Sequence, residues 1–301
     1  TTISWVRGFA RGLILLKQRI LTAIVLIPLA LGAIFLLPLP WFGLVVLLVM
    51  ALAAWEWAPL MGVCHRAGKL AYTLLCMALI GIFFWFIPLE QIWQSPSLHP
   101  IVYWLTVVGA VWWLIAIVLV LNFPRSKAVW QRSRIFVGLI GLLMLVPAWA
   151  AIIALRSEHY AQEPLHGAFL VLFVFLLVWA ADVGAYFSGK KFGKHKLMPR
   201  VSPGKTLEGL VGGLALAILV MFVVAEYTNL FIEHSVGYYA VGIVTVLVSV
   251  FGDLNESMFK RCVGVKDSGS LLPGHGGILD RIDSLTSALP VFLFGYVWFM
   301  I

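Results

Sequence analysis

The chain has 301 residues, 62% of them hydrophobic and 11% charged, with a formal net charge of +8. A mean hydropathy of +1.02 excludes an ordinary soluble domain. Three cysteines without a Cys-x-x-Cys pair argue against a zinc site and a disulfide framework.

A helix that crosses a bilayer needs about 20 mostly apolar residues, because lipid offers the backbone no hydrogen-bond partner. Nine stretches qualify: roughly 20–38, 41–58, 70–88, 101–121, 135–155, 167–187, 207–228, 236–256 and 284–301. The expected fold is therefore all-α, a polytopic membrane helix bundle of about nine spans. Ahead of the first span, Arg7 and Arg11 punctuate an apolar stretch, which fits a short interfacial helix and equally a frayed basic tail. The first run ends at Pro38, Pro40 and Trp41 with no small-x-small site, so it reads as a span and not as a cleaved signal.

Basic residues orient the bundle. With nine spans and a cytoplasmic N-terminus, 20 of the 21 lysines and arginines fall on the inner side, and only Arg156 falls outside. The C-terminus is then extracytoplasmic. Net positive charge becomes a one-sided feature suited to anionic lipid. No basic helix carries interleaved stacking aromatics, so nucleic acid is not an expected partner.

The spans differ along the chain. Residues 1–155 carry almost no ionisable group within the spans apart from Glu56, and read as scaffold helices. Glu56, between Trp55 and Trp57, is expected to be an interfacial acid that snorkels to water. Residues 156–301 place Asp182, Glu208, Glu226, Asp253 and Glu256 in or near span ends and read as the catalytic membrane region. An aspartate near a span end is costly unless partnered, so it marks a functional candidate.

Four groups of residues carry the chemistry. Asp182 and Tyr186 are four apart and share a helix face. Ser202 and Thr206 are cap candidates ahead of Glu208, and a helix start with Lys205 beside it suits an anion. The Pro-Gly-Lys-Thr string at 203–206 is not a Walker loop, because Pro199 stands where its first glycine belongs. Asp253, Glu256 and Ser257 share one face at the end of span eight. Asp280 and Asp283 stand at the start of span nine, where the helix dipole favours anions. Acids converging from two helix ends without clustered His or Cys indicate Mg2+ in preference to zinc. The competing reading pairs these acids with Lys260, Arg261 and Arg281 in structural salt bridges. Between the two helix ends, Gly274, Gly276 and Gly277 permit an anion-cradling turn around His275, a candidate substrate contact, with Lys266 as a phosphate contact and Asp267 as its local partner.

The segment 257–283, SMFKRCVGVKDSGSLLPGHGGILDRID, resembles the signature of the phosphatidate cytidylyltransferase family. Ser257, Lys260, Arg261, Lys266, Asp267, Gly269, Leu272, Pro273, His275, Gly276, Gly277, Ile278, Asp280, Arg281 and Asp283 follow its pattern without departure. Asp182, Tyr186, Gly189 and Gly193, then Ser202, Pro203, Lys205 and Thr206, are similar to its bacterial branch. The likeness is specific over about 179–283. It implies transfer of CMP from CTP to phosphatidate, giving CDP-diacylglycerol and pyrophosphate. It also implies that Asp253, Asp280 and Asp283 hold Mg2+ and a second, monovalent ion such as K+, that Lys260 and Arg261 serve catalysis, and that Asp182, Tyr186, Ser202, Lys205, Thr206, Lys266, His275, Gly276, Gly277 and Arg281 contact substrate. A homodimer in the bacterial inner membrane, with its site toward cytosolic CTP, completes the expectation. Two rivals are a CTP-dependent polyprenol or phytol kinase and an ion-coupled transporter. Acids gathered at one face and the lack of a repeat disfavour the transporter.

Overall fold

The computed structural model describes residues 22, 24–94, 97–228, 235–272, 274 and 276–300. The expected interfacial helix around Arg7 and Arg11 lies outside them. Eight helices among the described residues are long and apolar enough to cross a membrane. They are α2 (Leu39–Leu60), α3 (Arg66–Phe86), α4 (Pro100–Leu121), α6 (Arg134–Ser157), α7 (His166–Phe192), α8 (Leu207–Tyr227), α9 (Ser235–Cys262) and α10 (Leu279–Phe299). The chain is a multi-pass membrane protein. The expected span at 20–38 appears as α1 (Ile24–Leu36), which is shorter than a span, and residues 20, 21 and 23 lie outside the described residues. A short α5 (Lys127–Trp130) joins α4 to α6.

Two ribbons interrupt the helices. β1 (Trp93–Gln94) pairs with β2 (Ser97–Leu98), and β3 (Lys196–Met198) pairs antiparallel with β4 (Ser202–Thr206). The second ribbon replaces the loop expected before span seven. Its end is fixed by Glu208, whose carboxylate accepts from the His195 backbone N–H at 3.1 Å and meets His195 Nδ1 at 2.6 Å.

α6 and α10 form the centre, with 72% and 67% of their apolar windows buried, against 22% for α3 and α8 at the lipid-facing rim. Without a hydrophobic drive between helices in lipid, close packing and interhelical hydrogen bonds must hold the bundle. Trp57 Nε1 donates to Val137 O at 2.9 Å and Tyr72 OH to Gly138 O at 2.8 Å, locking α2 and α3 to α6. Trp113 Nε1 donates to Thr286 O at 3.1 Å, locking α4 to α10. At Gly184 a Cβ would meet Gly212 O at 2.5 Å, and at Gly213 it would meet Ala181 O at 2.6 Å. Glycine at these positions lets the α7 and α8 backbones touch.

Candidate active site

The α9–α10 contact sets the site. A Cβ at Gly252 would meet Asp283 O at 2.7 Å, so only glycine allows this approach. Ser287 Oγ donates to Val248 O at 3.1 Å across the same seam. The residue after Gly252 is Asp253, and the contact brings its carboxylate beside those of Asp283 and Glu256. Both helices extend further than the sequence suggests. α9 continues to Cys262 and α10 begins at Leu279, so Asp253, Glu256, Ser257 and Lys260 share one helix while Asp280 and Asp283 occupy the first turns of the other.

Each acid has a defined setting. Asp253 accepts from Ser257 Oγ at 3.1 Å and pairs with Lys205 Nζ at 2.8 Å. Asp280 Oδ1 pairs with Lys260 Nζ at 2.5 Å, while Asp280 Oδ2 accepts from the N–H groups of Ser268 at 2.9 Å and Gly277 at 2.8 Å. Asp283 is 9% exposed and accepts from the Ser284 N–H at 2.7 Å. Glu256 is 0% exposed, and neither of its oxygens has a hydrogen bond among the described residues. Lys260 Nζ stands 3.2 Å from Glu256 Oε1 without hydrogen-bond geometry.

Asp182, Asp253, Asp280, Arg281 and Asp283 line one cavity of about 580 Å³. Its other wall is apolar, from Leu26, Ile27, Phe42, Val46, Phe175 and Trp179. The cavity is thus amphipathic: charged where the helix ends meet, greasy where α1 and α2 stand. Asp182 lies ten residues before the end of α7, about 15 Å along the helix axis.

The charges do not balance. Asp182, Asp253, Glu256, Asp280 and Asp283 face Lys205, Lys260 and Arg281, so five acids against three bases leave a charge of −2 when all are ionised. Like charges crowded together, three of them buried at Glu256, Asp280 and Asp283, must take up protons or a cation. Glu256, buried with both oxygens lacking a hydrogen bond, is where this shortage is greatest. The all-oxygen donor set fits a hard divalent cation. Sequence reasoning placed Glu256 on the right face but did not assign it to the site. Its signal was the same i, i+3 spacing from Asp253.

Comparison with known proteins gives the family. The sequence profile described as the cytidylyltransferase family matches residues 17–299. The chain belongs to the cytidylyltransferase family. It is 42% identical over 286 residues to a Haemophilus influenzae protein named phosphatidate cytidylyltransferase, covering 94% of this chain and 99% of that one. A Pseudomonas aeruginosa protein of the same name is 46% identical over 278 residues, covering 92% and 96%. A Staphylococcus saprophyticus protein of that name is 49% identical over 128 residues, 42% of this chain and 48% of its own length.

Within this cytidylyltransferase fold the glycine turn is held from an unexpected quarter. Glu56 does not snorkel: it is 3% exposed. Its Oε2 accepts from the Leu279 N–H at 2.8 Å and from Ser268 Oγ at 3.2 Å. A Cβ on Gly269 or Gly277 would collide with its carboxylate. α2 therefore reaches across to fix the loop that precedes α10, and the expectation of a snorkelling interfacial acid is overturned. One backbone N–H and one hydroxyl of the loop serve Oε2, while Oε1 is buried without a hydrogen bond among the described residues. Gly274 and Gly276 adopt φ of 75° and 79° in the left-handed region, as a tight turn requires. His275 and Pro273 lie outside the described residues.

The remaining expected residues divide. Thr206 caps α8, accepting from the Gly209 N–H at 3.1 Å, as its position suggested. Ser202 is in β4 and not at the helix start, four residues upstream of that cap. Lys205 also lies in β4, with its ammonium against Asp253. Tyr186 is 60% exposed and does not line the cavity, although it follows Asp182 by four residues. Arg261 donates to Val201 O at 3.3 Å and Val265 O at 3.2 Å, tying the ribbon connection to the end of α9. Lys266 is exposed on the glycine loop, and Arg281 is exposed on the cavity wall.

Proposed function

We propose that this chain transfers CMP from CTP to phosphatidate, forming CDP-diacylglycerol and releasing pyrophosphate. The observation that carries the reading is the amphipathic cavity, a carboxylate-rich wall facing an apolar one within a cytidylyltransferase-family chain. Such a cavity matches a lipid phosphate, which has a charged head and apolar tails.

Both reactants are anions, so repulsion is the main obstacle. A lipid phosphate oxygen attacks the α-phosphorus of CTP, the new P–O bond forms, and the bond to pyrophosphate breaks. No protein nucleophile is needed. Asp253, Asp280 and Asp283 are the proposed ligands of Mg2+, with Glu256 completing the negative set and a monovalent ion such as K+ as a second guest. Asp280 is the most engaged of the three, and it holds Lys260 and the glycine loop as well. A divalent cation bound there supplies Lewis-acid neutralisation and a template for in-line displacement. Arg281 faces the cavity and is placed to meet a phosphate. Lys205 aims Asp253 and Lys260 aims Asp280 through their ion pairs, and Lys205 is available to CTP phosphates if Asp253 turns toward the cation. The exposed Lys266 offers a further phosphate contact, joined in the proposal by the glycine turn at Gly276 and Gly277 and by Ser202, Thr206, Tyr186, His275 and Asp182.

The proposed setting is the bacterial inner membrane with the carboxylate end toward the cytoplasm, where CTP is made, in a homodimer. The basic residues support this orientation. Position-specific labelling tests the reaction. Label on the CTP α-phosphate should appear in lipid product, and label on the γ-phosphate should appear in pyrophosphate. Lipid labelled from the γ-phosphate would make the protein a kinase.

A further inference from the structure

A second polar cluster lies at the opposite end of the bundle. Tyr296 and Asp280 are sixteen residues apart on α10, about 24 Å along its axis. Tyr296 OH donates to Glu158 Oε1 at 2.7 Å, which places Glu158 far from the carboxylate cavity. Glu158 follows the end of α6 and is only 4% exposed. His159 is its neighbour and His166 opens α7. One ligand atom from each of Glu158, His159 and His166 lies within 4.8 Å of the others.

Two observations indicate an occupant. Glu158 Oε2 and His166 Nε2 are both buried, and neither has a hydrogen bond among the described residues. They face each other at 3.7 Å. That is too long for a good hydrogen bond. It is close to the spacing of about 3.4 Å between two ligands of a tetrahedral ion with bonds near 2.0–2.1 Å. The other ring nitrogen, His166 Nδ1, has Glu163 Oε2 at 3.9 Å. Tyr296 orients Glu158 from behind. Arg156, the nearby cation, is turned to carbonyls instead, donating to Ile34 O and Pro164 O, each at 2.9 Å.

We propose that Glu158, His159 and His166 bind a borderline transition-metal cation, with Zn2+ as the natural guest. Two imidazoles and one carboxylate do not suit Mg2+, which prefers oxygen ligands. A water supplies the fourth position. Bound there, the ion would clip the turn between α6 and α7 to α10 through Tyr296. This site is separate from the phosphoryl chemistry and does not depend on it.

The test uses the full chain in detergent, stripped with chelator and then held in excess Mg2+ so that the carboxylate cavity is saturated. Zn2+ or Co2+ is added and unbound metal removed. Elemental analysis should find roughly one Zn2+ per chain, and Co2+ should give the visible bands of a tetrahedral site. His159→Ala and His166→Ala should lower Zn2+ affinity at least about tenfold, while Asp283→Asn should not. The His159 side chain is exposed, so its removal tests the site even if His166→Ala fails to fold. Zn2+ retention unchanged in His159→Ala, or lost equally in Asp283→Asn, would overturn the proposal. So would absence of retained Zn2+ in the unmutated chain, leaving only a Glu158–His166 ion pair.

Discussion

The two polar clusters of this bundle solve the problem of charge in an apolar body differently. At the α9–α10 seam, carboxylates outnumber their bases and are held by Lys205, Lys260 and backbone N–H groups around a cavity. At the far end, a single buried carboxylate meets two imidazoles and a tyrosine. The first arrangement is open and strongly anionic, which suits an ion that shares its coordination with phosphates. The second is compact and nearly neutral, which suits an ion that stays in place. Residue type separates the roles: oxygen donors alone in one cluster, mixed nitrogen and oxygen donors in the other.

If the α9–α10 cluster is the catalytic one, its variants should fail in a graded order. The largest loss is expected for Asp283→Asn, which removes a buried carboxylate from the cation set. CMP transfer should fall roughly a thousandfold or more, equivalent to about 4 kcal/mol of transition-state stabilisation, with the bundle still folded. Circular dichroism beside the rate measurement checks both halves of that statement. A loss under tenfold would move Asp283 out of the catalytic set and blur the distinction between the two clusters.

Lys205→Ala should come next, at roughly a hundredfold in kcat/KM, expressed chiefly as a raised KM for CTP. The variant loses the 2.8 Å pair with Asp253 and a cation at the cavity edge. Unchanged kinetics toward both CTP and phosphatidate would remove Lys205 from the site. Glu56→Gln should cost less, roughly ten- to a hundredfold. The amide keeps the volume but weakens acceptance from Leu279 and Ser268, at about 1–3 kcal/mol for imperfectly satisfied buried groups. Because Glu56 acts through the loop, kcat should fall with little change in Mg2+ dependence. An altered Mg2+ requirement would make it a ligand in its own right.

Much of this fold was legible because lipid leaves the backbone few choices. Eight of the nine expected spans correspond to helices long enough to cross a membrane, with their ends shifted by several residues. The shifts at α9 and α10 follow from satisfied polar groups: helices persist into polar sequence when acids and lysines pair across the seam, as Lys260 and Asp280 do. The convergence of Asp253, Asp280 and Asp283 on one cavity was likewise legible from their positions at two helix ends, whereas Asp182, paired in sequence with Tyr186, joins them without Tyr186. Three features were not legible. Glu56 finds its partners more than two hundred residues away, which no local pattern reveals. The ribbon of β3 and β4 is held by Glu208 from the following helix, so a loop-like sequence became a strand pair. The Glu158, His159 and His166 cluster is split by a turn, and its spacing matches no simple helical repeat.

The most direct test of the account is CMP transfer followed across a Mg2+ titration in detergent micelles, comparing the unaltered chain with Asp253→Asn and Asp280→Asn. The account predicts no transfer by the unaltered chain without divalent cation, saturation as Mg2+ is added, and near-complete loss in both variants at every concentration. Substantial activity in Asp280→Asn, with a Mg2+ dependence like that of the unaltered chain, would contradict it. The acids at the seam would then be structural salt bridges.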